Sequence, residues 1–218
     1  MCADGRSPWQ VILDVGDAID AGVIVAGIAR VRRPTRARLG GQARALAQRA
    51  RRPLLLLPVD ASPAGAGVPA IFAYDGSASA GDAARAATQL LRPRPAIVAT
   101  VWLSASHAVG VARLALPDEV ARRGTNRLDE ASHRQAEGEA CDGAALLAAA
   151  GWPCATAALE TPRNVPMAII GAADEHDAAI VVTGTRGRSR IAAALLGSSA
   201  EGILRHAERP LLLVSPSG

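Results

Sequence analysis

In this 218-residue chain the residues with the clearest chemical potential are Gly184, Gly187, Gly197, Ser198 and Ser199, spaced G-x2-G-x9-G-S-S. Glycines permit positive φ and admit main chain close to a ligand where a Cβ would intrude. Two serines that open a helix add hydroxyls to its free N–H groups and to the positive end of its dipole, an arrangement that favours an anion. The chemistry this spacing offers is phosphate binding. The same glycines also suit a bare strand-to-helix turn, and spacing alone leaves that reading open.

Other chemistries fare worse. All 24 basic residues are arginine. A Walker-A loop, a Schiff base or an S-x-x-K acyl-transfer site needs an ammonium or an amine of tunable pKa, which a guanidinium does not supply. Asp129, His133 and Glu137 lie at i, i+4 and i+8 of one helical pattern and read as a charged stripe rather than a metal site. His107, His176 and His206 are scattered, and no G-x-S-x-G elbow is present. Cys2, Cys141 and Cys154 are odd in number, the last two in alanine-rich surroundings expected to raise a thiol pKa. Without a nucleophile, base and orienter in evident relation, the chain reads as a binding protein rather than an enzyme, with no catalytic residue and no metal site.

The net charge is +4, and Arg30 to Arg52 holds nine arginines and no acid. With no aromatics interleaved for base stacking, this reads as a solvated basic face, and nucleic acid is not expected as a partner. Half the residues are apolar, enough for a core without disulfides. The first ten residues are polar and no apolar run reaches the ~18 residues of a membrane span, so a cytoplasmic protein without membrane partners is expected.

Several elements must position the glycine loop. A short apolar strand, Ala179 to Val182, leads into it; a helical pattern follows Ser198, and a second apolar strand follows Pro210. Upstream, Ala70 to Tyr74 reads as a strand ending in Asp75-Gly76-Ser77, then Ala80 to Leu91 as a helix and Ala96 to Leu103 as a strand. Leu103 to Gly124 has no clear period. Asn126 to Ala150 reads as a long helix, Cys154 to Leu159 as a strand and Asn164 to Glu175 as a helix. The alternation predicts an α/β fold with a doubly wound open parallel sheet and helices on both faces. Its ligand would bind at the carboxyl ends of the strands.

With its flanking strand and helix, the loop resembles that of the ATP-binding branch of the universal stress protein family, a resemblance covering about residues 69 to 216. It implies strand order 3-2-1-4-5 and binding of ATP or another adenine nucleotide, with or without Mg. The nucleotide-binding positions implied are Ala73, Tyr74, Asp75, Val101, Thr183, Gly184, Arg186, Gly187, Gly197, Ser198 and Ser199. Asp75 matches the residue beside the adenosine, and Val101 the one whose main chain meets the adenine edge. The role implied is stress response or regulation through partner binding. Two alternatives stay open: a slow ATPase in which Arg186, Arg188 or Arg190 contacts the phosphates, and a nucleotide-free dimerising scaffold.

The first sixty residues repeat the last fifty. A shift of 157 positions lays Trp9–Pro58 on Pro166–Ser215 without a gap and with about a third of positions identical, the mark of an internal repeat. Arg30, Gly41 and Gln42 fall where the second copy has Gly187, Ser198 and Ser199, so the first site is expected to be dead. The organisation expected is a degenerate half copy over 1–60, a small-residue linker over 61–68 and a complete nucleotide-binding domain over 69–218. A half copy lacks its first strand, which leaves Val23-Ile24-Val25 as an open edge. In the family, fifth strands commonly meet in dimers, so Leu54–Leu57 and Leu211–Val214 are expected to pair as an intramolecular pseudo-dimer, with a homodimer as the further assembly.

Overall fold

The structure, a computed structural model, describes residues 5–28, 30–31, 38–61, 63–104, 118–162, 164–187, 196–206 and 208–216. The elements run α1 (Pro8–Ala18), β1 (Ile24–Ile28), β2 (Arg30–Val31), β3 (Arg38–Leu39), α2 (Gly41–Arg49), β4 (Leu54–Pro58), β5 (Ala70–Ala73), α3 (Ala78–Leu90), β6 (Ala96–Leu103), α4 (Asp118–Ala149), β7 (Cys154–Thr161), α5 (Val165–Glu175), β8 (Ile180–Gly184), α6 (Ser198–His206) and β9 (Leu211–Val214). Helix starts carry their expected chemistry. Ser77 Oγ accepts from Ala80 N–H at the head of α3, and Asn164 Oδ1 accepts from Met167 N–H at the head of α5, each meeting an otherwise orphaned donor. The long helix begins at Asp118, well before the expected Asn126, because helix formers such as Ala121, Arg122 and Arg123 extend it without an apolar period. The rest of the unassigned stretch, 105–117, lies outside the described residues.

One seven-stranded sheet has the order β1-β4-β9-β8-β5-β6-β7. Counted from β5, its last five strands follow 3-2-1-4-5, all parallel. The order departs from that of a separate five-stranded sheet because β4 adds to β9 antiparallel and β1 then adds to β4 in parallel. Two apolar clusters cover the faces. One, built from Ile71, Ile169, Val181, Ile203, Leu211 and Leu213, continues into the first sixty residues through Leu46, Leu54 and Leu56. The other gathers Phe72, Val98, Leu147, Val182 and Leu212 under α3 and α4, with alanines filling the gaps and Trp152 edge-on to Phe72 at 5.6 Å. Among the described residues of the first sixty, a half-buried Leu55 alone reaches this second cluster.

The offset of 157 recurs in three dimensions: α1 and α5 start and stop 157 residues apart, as do α2 and α6. Asp20 and Asp177 share a positive φ, 52° and 47°. Arg52 bonds Asp17, Asp20 and the Ala21 carbonyl; Arg209 bonds Asp174, Asp177 and the Ala178 carbonyl. The β4:β9 seam centres on Leu55 opposite Leu212, another pair at that offset, and so has approximate two-fold symmetry. Across it Arg44 meets Glu201, its own counterpart, at 2.7 Å, and Ser215 Oγ donates to the Ala50 carbonyl at 2.6 Å.

Candidate functional site

Strand β5 is flanked by β6 on one side and β8 on the other, so successive crossovers leave it in opposite directions and a crevice opens at its carboxyl end. A cleft of about 440 Å³ occupies that place, within the range of small-molecule sites. All eleven of the expected positions line it: Ala73, Tyr74, Asp75, Val101, Thr183, Gly184, Arg186, Gly187, Gly197, Ser198 and Ser199. Arg188 and Arg190 lie outside the described residues.

The glycine loop closes on itself. Thr185 N–H donates to the Val214 carbonyl at 2.9 Å, and Gly197 N–H donates to the Thr185 carbonyl at 2.8 Å. The two ends of the x9 stretch are thereby held side by side, and α6 starts at Ser198 over the cleft. Helix α3 presents a second N-terminus to the same space, where Ser79 Oγ accepts from Arg186 N–H at 3.3 Å. The N-terminus of α6 and Arg186 thus lie at one end of the cleft, with the head of α3 beside them, a setting for a phosphate group.

The loop glycines are needed for space, not for φ. Positive φ occurs at Gly5, Gly76 and Gly151 among the described glycines, and not at 184, 187 or 197. A Cβ on Gly184 would come within 2.7 Å of the Ser79 carbonyl oxygen, and one on Gly197 within 3.3 Å of the Thr185 oxygen. Both contacts are with the protein's own main chain. At Gly187 the nearest atom is Asp75 Oδ2, at 3.0 Å, so this glycine alone keeps clear the space between the loop and the expected nucleoside-side carboxylate. Asp75 Oδ1 accepts from Ser77 N–H at 3.1 Å, which fixes the carboxylate at the strand end.

The other end of the cleft is apolar, built from Val101, Trp102 and Leu103 on β6 and from Val165 and Ile169 on α5. Ser132, Gln135, Ala136 and Glu139 of α4 supply a further wall that the sequence reading missed. There Gln135 Nε2 donates to Glu139 Oε1 at 2.8 Å. The stripe singled out in sequence is the neighbouring one: His133 packs edge-on against Trp102 at 5.6 Å, and Ser104 Oγ donates to Asp129 at 3.5 Å. Of that stripe Glu137 alone is exposed, Asp129 and His133 being half-buried. Tyr74 packs its ring on α4 at Gly143, where a Cβ would come within 2.9 Å of it. Burial, and next the Asp142 carboxylate, push its hydroxyl pKa up. Burial likewise raises the Cys154 thiol, whereas Cys141 is exposed on α4, contrary to its apolar sequence context, because it stands off the side of the helix that buries Ala140, Gly143 and Leu147.

The corresponding place beside β1 is built differently. Among the described residues no strand lies on the far side of β1, and none stands as a counterpart of Ala73, Asp75 or Val101. Gln42, at the position of Ser199, turns its Oε1 to accept the Trp9 N–H at 3.1 Å. Arg49 stacks over the Trp9 ring at 4.7 Å.

A model of the universal stress protein family matches residues 69–215. Among solved structures, a universal stress protein from Archaeoglobus fulgidus DSM 4304 aligns over 97% of this chain and 66% of its own, at 14% identity and a TM-score of 0.61. A putative universal stress protein from Pseudomonas aeruginosa UCBPP-PA14 aligns over 97% and 69%, at 21% identity and 0.58. UspA of Lactobacillus plantarum aligns over 69% of this chain and 99% of its own, at 15% and 0.53. No curated protein matches the chain.

Proposed function

The chain belongs to the universal stress protein family, and on that premise we propose that residues 69–218 bind one adenine nucleotide, ATP foremost, in the cleft at the ends of β5, β6 and β8. The observation that carries this reading is the cradle at Gly187, where the space beside Asp75 stays open only because no Cβ fills it. The phosphates lie toward Gly184, Arg186, Gly187 and Gly197–Ser199, under the N-termini of α3 and α6. Asp75 faces the ribose, and the base lies between Val101–Leu103 and Ile169. Mg, where it accompanies ATP, is held by the phosphate oxygens, since the described residues offer no group of three His, Cys, Asp or Glu side chains.

Residues 1–60 are in this reading a degenerate half copy joined through 61–68, without a nucleotide of their own. No helix among the described residues is long and apolar enough to cross a membrane, and the role fits a cytoplasmic regulator of the stress response that acts through partner proteins. Calorimetric titration with ATP tests the reading: saturation at one site per chain is expected. Absence of binding at millimolar ATP overturns it, and nucleoside diphosphate accumulating over hours would move the protein to the slow-ATPase alternative.

A further inference from the structure

Helix α4 sits low on the sheet, and a glycine is the reason. Gly143 is buried, and a Cβ there would come within 2.9 Å of both the Tyr74 ring and Val98 Cγ1, so a residue without one is needed for the helix to approach the end of β5 this closely. Glu139 stands one turn earlier on the same face. Its Cγ and Cδ lie 3.4 and 3.5 Å from where a Cβ on Gly76 would be, and Gly76, with φ +72°, forms the turn that carries the chain from Asp75 towards α3. The Glu139 stem is thereby laid against the residue next to Asp75.

With the phosphates toward the glycine loop and the base toward Val101–Leu103, the assignment on which this inference rests, the sugar lies over the end of β5. Asp75 and Glu139 both line the cleft there. Gln135, one turn before Glu139, donates from Nε2 to Glu139 Oε1 at 2.8 Å, which orients the carboxylate. A carboxylate has room for about four donors, so a ligand hydroxyl can join that bond. The field on this side is negative: after burial, the Asp142, Asp75 and Glu139 carboxylates all raise the Tyr74 hydroxyl, with Arg85 opposing them.

We propose that Glu139 is a second sugar-binding residue, which with Asp75 takes the two ribose hydroxyls, one to each carboxylate, and makes the site selective for linear 5′-ribonucleotides with a free 2′,3′-diol. A hydroxyl donating to a carboxylate makes a charge-assisted bond. A phosphate on either ribose oxygen removes that donor and sets an anion against the carboxylate, a repulsion that rejects the wrong ligand as well as an attraction that holds the right one. 3′,5′-Cyclic AMP has both faults, because its 3′ oxygen is esterified. The 2′- and 3′-deoxynucleotides have the first alone.

Calorimetric titration of the full chain tests it, with ATP against 2′-deoxy-ATP and 3′-deoxy-ATP, and with AMP against 3′,5′-cyclic AMP. Each deoxy analogue is expected to bind about 10- to 150-fold more weakly than ATP, and cyclic AMP at least about tenfold more weakly than AMP. In Glu139→Ala, a change that suits a helix, one of the two deoxy penalties is expected to vanish while the other, set by Asp75, stays. The wild-type comparisons decide the matter if that variant fails to fold. A deoxy analogue that binds as ATP does, cyclic AMP binding as tightly as AMP, or both penalties surviving in Glu139→Ala overturns the proposal and leaves the cleft a nucleotide site. A wild type that binds none of these ligands overturns the nucleotide reading itself, and this inference with it.

Discussion

Gly184→Ala and Gly187→Ala, three residues apart in one loop, are expected to fail in different ways. At Gly184 the new methyl meets the Ser79 carbonyl oxygen at 2.7 Å and its carbon at 2.8 Å. Ser79 is buried in the first turn of α3, so this main chain cannot swing aside. Overpacking of that kind costs about 1–3 kcal/mol, and for a chain of this size each kcal/mol lowers Tm by roughly 2–4 °C. A fall of roughly 2–12 °C follows, and Ser79→Ala does not restore it because the clash includes the backbone. At Gly187 the methyl meets only Asp75 Oδ2, at 3.0 Å, the end of a half-buried side chain, which needs to give by only a few tenths of an ångström. Stability then changes by less than about 0.5 kcal/mol. If the displaced carboxylate holds the nucleoside, the lost hydrogen bond costs about 1.5–3 kcal/mol, on the order of 10- to 150-fold in Kd. Scanning calorimetry without ligand and titration with ATP read the two effects separately. Gly184→Ala melting with the wild type, or Gly187→Ala binding ATP at full affinity, would refute the division of labour between these glycines.

Asp75→Ala is expected to weaken adenosine and ATP alike, whereas Ser198→Ala weakens ATP by about 1.5–3 kcal/mol and adenosine hardly at all; equal losses on both ligands would reverse the assigned orientation. Tyr74, its hydroxyl raised above the ordinary value of 10.0 by burial and then by Asp142, favours the folded state less once it must ionise. Stability is therefore intact below pH about 10 and lost as pH rises through the folded value. Tyr74→Phe should reduce this alkaline loss in urea titrations between about pH 9 and 11, and an unchanged slope contradicts the linkage. Removing residues 1–60 uncovers the β9 edge and should change the subunit count in light scattering while ATP affinity stays within a few fold; an unchanged count would deny this segment a role in assembly.

The cleft was legible in sequence because its lining falls at strand ends and in one glycine loop, where residue type and local order both report position. Asp75 follows β5 directly, and Gly184 to Gly187 ends β8, so alternation of strand and helix brings them together without any long-range information. The wall from α4 was not found. Asp129, His133 and Glu137 drew attention by their ligand types, but the rotation of the helix is set by its buried stripe, Ala136, Ala140, Gly143 and Leu147. That stripe puts Ser132, Gln135 and Glu139 beside the cleft, and its small residues were the available signal. The glycines also showed a limit of pattern reading. Sequence cannot separate a need for positive φ from a need for space, and here neighbouring main chain at Ser79 and Thr185 makes it space. The pairing of β4 with β9 was foreseeable only through the repeat, since leucine-rich strands carry no mark of their neighbours.

The most direct test of the central claim is mass analysis of small molecules released when the purified full-length chain is denatured, with quantitation against protein. The account predicts an adenine nucleotide at no more than one equivalent per chain in the wild type and its loss in Gly187→Arg, whose side chain would fill the space beside Asp75. Two equivalents per chain, or full retention by Gly187→Arg, would contradict it.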